Sequence, residues 1–339
     1  MHKIEADGRE YEDLLRRYLD SNEPCFLEKA KAMSVSFVSR NIYPEEIVRI
    51  HMRAIEMLFG EGFNDYKRSL KFLLESLIAY RKAHEEYEEL RLEQWELKSE
   101  IQVAANMQKT LLRTKIPNIE GIDIGAISVP YHQMNGDYFH FITGEDGTLG
   151  VAIADVIGKG VPAALSMSMI KYAMDSFYDE LMSPSAILRN LNSVVERNVA
   201  SNMFITMFYG QLFPDTGTLR FASAGHEPGY IYRAATKEFE EIKAKGLVLG
   251  VLKNTHYTQY ELTLEDEDML VLLTDGVTEG KRGNRFIHRK EVTDIIEMYN
   301  HLPAQEHVEK VYEHFSEIDG FDLKDDFTLI IIKKGLIVQ

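Results

Sequence analysis

Cysteine is almost absent from this chain: Cys25 stands alone among 339 residues. No intramolecular disulfide can form, and a multi-cysteine metal site is excluded. Basic charge is also scarce. Lys and Arg number 38 against 54 Asp and Glu, for a net charge of −16. A surface of that sign disfavours nucleic acid and anionic membranes, which both need cations to displace counterions. No apolar run approaches the roughly 18 residues of a membrane helix. The stretch Met1–Leu15 is broken by charges and does not read as a signal peptide. The expectation is a cytoplasmic protein with no nucleic-acid and no membrane partner. What is present is apolar substance, 45% hydrophobic and 10% aromatic. That suffices for a real core in roughly two domains.

The charge is unevenly placed. Residues 1–84 hold 14 basic and 14 acidic residues, whereas residues 85–339 hold 24 and 40. The neutral first region predicts four amphipathic helices packed as a small bundle. Tyr11, Leu14, Leu15, Tyr18 and Leu19 recur at helical spacing. A second helix spans Pro24 to Asn41. A third opens at Pro44-Glu45-Glu46, which places proline and carboxylates in a first turn, and ends near Gly60 and Gly62. A fourth begins near Asp65 and carries Leu70, Leu73, Leu74, Leu77 and Ile78. Cys25 and His51 read as packing or surface residues.

No Pro or Gly occurs between Asn64 and Ile116, so the fourth helix runs on. Leu90, Leu97, Ala104 and Leu111 recur every seven residues, with Tyr87, Gln94, Ile101 and Gln108 three places earlier. This spacing fits a modest coiled-coil seam and equally a helix covering a sheet. Either way residues 85–112 form a stiff connector able to transmit a change between domains, in which Leu90, Leu97, Ile101 and Leu111 are the regulatory positions. The domains are thus 1–84, helical; 85–112, connector; and 113–339.

From Ile122 the pattern shifts to period two and short apolar runs. Strands are predicted at Ile122–Val129, Tyr138–Ile142, Leu149–Ala154, Phe204–Phe213, Thr218–Ala222, Tyr230–Tyr232, Met269–Leu273 and Phe327–Lys333. Helices are predicted at Pro162–Phe177, Pro184–Asn198, Arg289–Asn300 and Ala304–Glu317. Strands in runs with helices grouped between them indicate an α+β domain.

Aspartates mark the strand ends. Asp155 follows Val151-Ala152-Ile153-Ala154, and Asp275 follows Leu270-Val271-Leu272-Leu273-Thr274. Asp325-Asp326 precedes Phe327-Thr328-Leu329-Ile330-Ile331, and Asp137 lies between Gly136 and Tyr138. Single aspartates often cap turns, but this repeated setting points to a constellation. Carboxylates brought together repel one another unless a cation compensates them. All-oxygen ligands select Mg²⁺ or Mn²⁺, and two such ions can clamp a phosphoryl group.

Gly136-Asp137-Tyr138, Ala154-Asp155-Val156-Ile157-Gly158-Lys159-Gly160, Ser223-Ala224-Gly225-His226, Thr274-Asp275-Gly276 and Asp325-Asp326-Phe327-Thr328 occur in that order. The series resembles the motifs of the metal-dependent PPM-type serine/threonine protein phosphatases, in the bacterial branch typified by SpoIIE. The likeness runs from about Glu100 to Lys333, and the helical first region resembles that of Gram-positive stress-response phosphatases. It implies an α-β-β-α sandwich and two ions of Mn²⁺ or Mg²⁺. Asp155 would bridge the metals and the carbonyl of Val156 would bind one. Asp275 and Asp325 would complete the shell, with Asp326 a neighbour or an alternative ligand, and Asp137 would hold metal-bound water. By the same resemblance Asp137, Asp155 and Asp275 would be the catalytic set, and Gly158, Gly160, Gly225 and His226 would shape the substrate site.

The resemblance further implies direct hydrolysis of phosphoserine or phosphothreonine without a phospho-enzyme. Its substrate would be a phosphorylated anti-anti-sigma protein, and its activator a switch kinase binding the first domain of a homodimer. The outcome would be positive regulation of a general stress sigma factor. One departure matters. Eukaryotic members place an arginine near the first aspartate, but Ser128–Asp137 contains no Lys or Arg, and His132 is its one possible cation. Poor activity on small phosphoesters is expected. Gly158-Lys159-Gly160 is no Walker loop, because Gly160 stands where Ser or Thr is required. Met167, Met169 and Met174 read as packing residues. Two rival readings are a non-catalytic pseudophosphatase scaffold and a small-phosphoester hydrolase.

Overall fold

The computed structural model describes residues 2–40, 42–59, 66–158, 160–177, 182–199, 203–278, 281–282, 285–317 and 321–335. The expected helix ends at Asn41, Gly60 and Gly62 and the motif residue Lys159 lie outside them. The chain divides into two compact units, Met1–Ser99 and Glu100–Gln339.

The first unit contains α1 (His2–Ser21), α2 (Pro24–Ser39), α3 (Pro44–Phe59) and the start of α4 (Tyr66–Leu111). Proline opens α2 and α3, where its missing N–H costs nothing. The apolar stripes meet in one core around Tyr11, Leu15, Phe37, Ile47 and Phe72. His51 is buried in that core rather than at the surface. Its Nδ1 lies 3.0 Å from the Tyr11 hydroxyl and its Nε2 lies 2.7 Å from Ser69 Oγ. Cys25 is exposed. The boundary between units falls inside α4, so residues 100–111 of the connector belong with the second unit.

That unit begins its strands with β1 (Ile122–Val129), β2 (Asp137–Thr143) and β3 (Leu149–Ile157). Helices α5 (Val161–Ser176) and α6 (Pro184–Asn198) follow, then β4 (Phe204–Phe213), β5 (Thr218–Ala224), β6 (Tyr230–Arg233), β7 (Glu238–Glu241), β8 (Tyr260–Thr263) and β9 (Met269–Leu273). The chain continues through α7 (Asp275–Thr278), β10 (Lys281–Arg282), β11 (Arg285–Phe286), α8 (Arg289–Met298), α9 (Ala304–Glu317), β12 (Phe321–Asp322) and β13 (Phe327–Lys334). One five-stranded antiparallel sheet runs β1-β13-β9-β6-β7, and a second runs β2-β3-β4-β5-β8.

Period two decides the layers. Val151 and Ile153 of β3 join Leu270, Leu272, Ile330 and Ile332 in the core between the sheets. Their neighbours Ala152 and Ala154 face Met167, Ile170, Leu188 and Leu191 of α5 and α6. The first sheet buries its other face under α8 and α9 through Val271, Leu273, Ile331, Val308 and Phe315. Strands covered on both faces read as unbroken apolar runs. The result is the expected α+β architecture, helices over sheet over sheet over helices.

At the two candidate aspartates the strand ends differ from the sequence reading. β3 continues through Asp155 and Val156 to Ile157 because β4 offers Thr206, Ile205 and Phe204 as partners. β2 starts on Asp137 itself, opposite Asp155. The strands that pattern reading missed are mostly short or at edges. β7, Glu-Phe-Glu-Glu, is charged because an open edge must resist further pairing. Among the described residues no helix is long and apolar enough to cross a membrane.

Candidate metal and catalytic site

Antiparallel pairing of β2 with β3 sets Asp137 directly across from Asp155. The other sheet supplies the remaining carboxylates. Leu273 pairs with Leu329, so Thr274 and Asp275 leave β9 beside the point where Asp325 and Asp326 enter β13. Gly276 lets these turns touch, since a Cβ there would come within 2.1 Å of the Asp326 carbonyl. Thr274 Oγ1 then crosses between sheets and donates to Asp137 Oδ2 at 2.7 Å. It also accepts from the Thr328 amide at 3.1 Å. Strand ends tied in this way hold side chains more narrowly than free loops.

Asp326 is heavily committed. One carboxylate oxygen accepts from the Tyr131 amide at 2.7 Å and the other from the Gly136 amide. A Cβ on Gly136 would meet that Asp326 oxygen at 3.2 Å, a tight contact. Asp325 is half-buried, and one of its oxygens accepts from the Asp326 amide at 2.9 Å. A small cleft is lined by Asp325, Asp326, His132, Gly136, Gly158 and Gly160.

Burial pushes the Asp137 carboxyl well above its ordinary range, and the neighbouring charge of Asp155 pushes it further. Asp326 is raised as well, chiefly by burial, against the opposing effect of its backbone donors. Carboxylates in that condition either hold protons or need a cation. The donor set is entirely oxygen, so its chemistry fits a hard divalent ion. Among the described residues no three His, Cys, Asp or Glu side chains already form a metal cage.

The remaining candidates fall around this centre. Gly158 and Gly160 turn the chain after β3 with φ of 152° and 76°, conformations that favour glycine. Gly225 has φ 68°, and a Cβ there would reach Val248 Cγ1 at 2.6 Å. His226 is buried, and its Nδ1 lies 3.0 Å from Thr206 Oγ1, on the residue paired with Asp155. Burial lowers its pKa to about 4, which keeps the ring neutral. His132 is exposed at the rim with its ring 4.3 Å from that of Tyr131. On α4, Leu90 and Leu97 are exposed, Leu111 is 39% exposed and Ile101 is half-buried.

Ala105 and Gln108 are the buried residues of the connector, with Ile101 and Ala104 packed beside them. Ala105 packs with Met134 and Ala164, and Gln108 bonds the backbone of Asn135. Sequence reading gave Gln108 a place on a seam and gave no role to Thr274 or Asn135. Its place on the heptad seam, one turn after Ala104 and two after Ile101, was the available signal for Gln108.

The second half of the chain, residues 145–335, matches the family model Stage II sporulation protein E (SpoIIE). The chain belongs to the SpoIIE phosphatase family. Residues 9–83 match a second model, the N-terminal domain of phosphoserine phosphatase RsbU. The chain is 46% identical to phosphoserine phosphatase RsbU of Bacillus subtilis (strain 168) over 330 residues, which is 97% of this chain and 98% of that one. Its fold is shared with the SiaA-PP2C domain of Pseudomonas aeruginosa at TM-score 0.61 and 19% identity, over 71% of this chain and 98% of that one. RsbX, whose structure is described in complex with magnesium, matches at TM-score 0.50 and 17% identity, over 65% of this chain and 98% of that one. As a member of the SpoIIE family, the chain is a phosphatase.

Proposed function

We propose that this SpoIIE-family phosphatase hydrolyses phosphoserine on a partner protein of the anti-anti-sigma class, RsbV-like, using a pair of Mn²⁺ or Mg²⁺ ions. The observation that carries this reading is the placement of Asp137 opposite Asp155, with Thr274 tying Asp137 to the strand ends of Asp275 and Asp325-Asp326. The 46% identity to a phosphoserine phosphatase along nearly the whole chain supports the substrate class. Asp155, the Val156 carbonyl, Asp275 and Asp325 would hold the ions, and Asp137 would hold water beside them. Asp326 is better suited to positioning, because both its oxygens already accept backbone N–H groups. When bound, the ions supply Lewis-acid polarisation of the phosphoryl group. The chain's own contribution is to fix its carboxylates and to orient the phosphoserine.

No Lys or Arg stands in Ser128–Asp137, so affinity must come from protein–protein contact as well as from the ions. The N-terminal unit would bind the activating switch kinase, RsbT-like, and α4 would carry its effect. The exposed side chains of Leu90, Trp95 and Leu97 suit a homodimeric seam on that helix. Activation would raise the output of a general stress sigma factor.

The test is phosphate release from a serine-phosphorylated anti-anti-sigma protein with Mn²⁺, with and without the switch kinase. Release that the kinase stimulates and that Asp155→Ala and Asp275→Ala abolish is expected. Release by Asp155→Ala at the wild-type rate would refute the assignment.

A further inference from the structure

The strongest unexplained feature of the second unit is a buried amide on α4. Gln108 is 5% exposed, although it lies near the end of a helix whose neighbours Met107 and Lys109 are exposed. Its Nε2 donates to the Asn135 carbonyl at 2.6 Å, and its Oε1 accepts from the Asn135 amide at 3.0 Å. One side chain thus satisfies both backbone groups of one residue, as a neighbouring strand would. Buried backbone groups require such partners.

Asn135 passes the constraint onward. Its Oδ1 accepts from the Asp137 amide at 2.9 Å, and its Nδ2 donates to Ser128 Oγ at 2.7 Å. The next residue, Gly136, donates to Asp326 and accepts from the Val156 amide at 3.3 Å. Three residues, 135–137, therefore hang between α4 on one side and Asp326 and Val156 on the other. One turn before Gln108, Ala105 packs on Met134 and on Ala164 of α5, which seats the helix.

We propose that Gln108 is a positioning residue for catalysis: its carboxamide clamps Asn135 and so fixes the backbone that carries Asp137. A small rotation of this end of α4 breaks both bonds together, because one amide makes them. The inference rests on the proposed phosphatase reading and adds the atoms through which the connector meets the site.

The experiment uses the full-length chain and Gln108→Ala, Gln108→Glu and Gln102→Ala. Glu keeps the size and the acceptor but loses the donor to the Asn135 carbonyl, and Gln102 is an exposed control on the same helix. Hydrogen exchange is followed in peptides covering residues 133–138 and in β3 and β4. Both Gln108 variants should speed exchange at 135–137 by about tenfold or more, with β3 and β4 unchanged, as expected for loss of local bonds. In the Mn²⁺ assay they should lower kcat by about tenfold at unchanged KM for the phosphoprotein. Wild-type exchange at 135–137 in Gln108→Ala and Gln108→Glu would overturn the proposal, and so would faster exchange throughout the second unit. If the wild-type chain released no phosphate, the functional reading would fail, yet the exchange data would still decide the clamp.

Discussion

Thr274 donates its hydroxyl proton to Asp137 across the gap between two sheets, over 2.7 Å. Thr274 is fully buried and Asp137 nearly so. This bond ties the end of β9 to the start of β2, and it favours the charged form of a carboxyl that burial drives toward neutrality.

Thr274→Val should therefore be far more harmful than Thr274→Ser. Valine keeps the volume but leaves Asp137 Oδ2 and the Thr328 amide without that partner. A loss of about 1–3 kcal/mol in stability and roughly a hundredfold in kcat is expected. Serine should retain most of both. Chemical denaturation and phosphate release measure the two effects, and equal behaviour of the two variants would contradict the role assigned to the hydroxyl.

Asp325 and Asp326 should separate when substituted. Asp325→Asn should weaken Mn²⁺ uptake by about tenfold or more, measured by calorimetry, with little change in melting. Asp326→Ala should lower the melting temperature by several degrees, about 4–8 °C, because the amides of Tyr131 and Gly136 lose their acceptor. The reverse pattern would exchange the two roles.

Substrate size should matter greatly. Ser128–Asp137 contains no Lys or Arg, and among the described residues lining the cleft His132 is the one possible cation, so a small aryl phosphate has few contacts there beyond the ions. Its kcat/KM should fall about a thousandfold or more below that of a phosphoserine protein, a difference of about 4 kcal/mol in transition-state binding. Comparable values for the two substrates would favour a small-phosphoester hydrolase.

Acid should loosen the first unit. Burial lowers His51 from its ordinary 6.5 to about 4, so the folded chain keeps it neutral where the unfolded chain protonates it. Between those values the unfolded state binds more protons, so stability is full above about pH 6.5 and is lost as pH falls toward 4. His140, His226 and His307 are lowered to about 4 in the second unit for the same first cause. In calorimetric scans the first unit should melt lower at pH 5 than at pH 7. His51→Gln should reduce that difference by about half or more. An unchanged pH slope would show that His51 does not control it.

Much of this molecule was legible because its signals are local. Helical spacing in residues 11–78 gave the bundle, and the apolar runs around Asp155, Asp275 and Asp325-Asp326 gave the principal strands. β7 and β8 went unread because each is a four-residue edge strand that buries little, too short for an alternation such as Tyr260-Glu261-Leu262-Thr263 to stand out. Gln108 illustrates the opposite difficulty. As a letter it interrupts a heptad, and only its two bonds to Asn135 reveal that it faces the catalytic unit.

The amino-acid order by itself determined the two-part layout, the α+β class and the types of residue at the candidate centre. Those properties follow from periodicity and from the chemistry of carboxylates, which need no knowledge of distant neighbours. Only the tertiary structure decided that β2 and β3 set Asp137 across from Asp155, that Thr274 joins the sheets, and that Asp326 spends its oxygens on the backbone. Each of these is a contact between residues remote in sequence, fixed by strand register and by the packing of one sheet on the other.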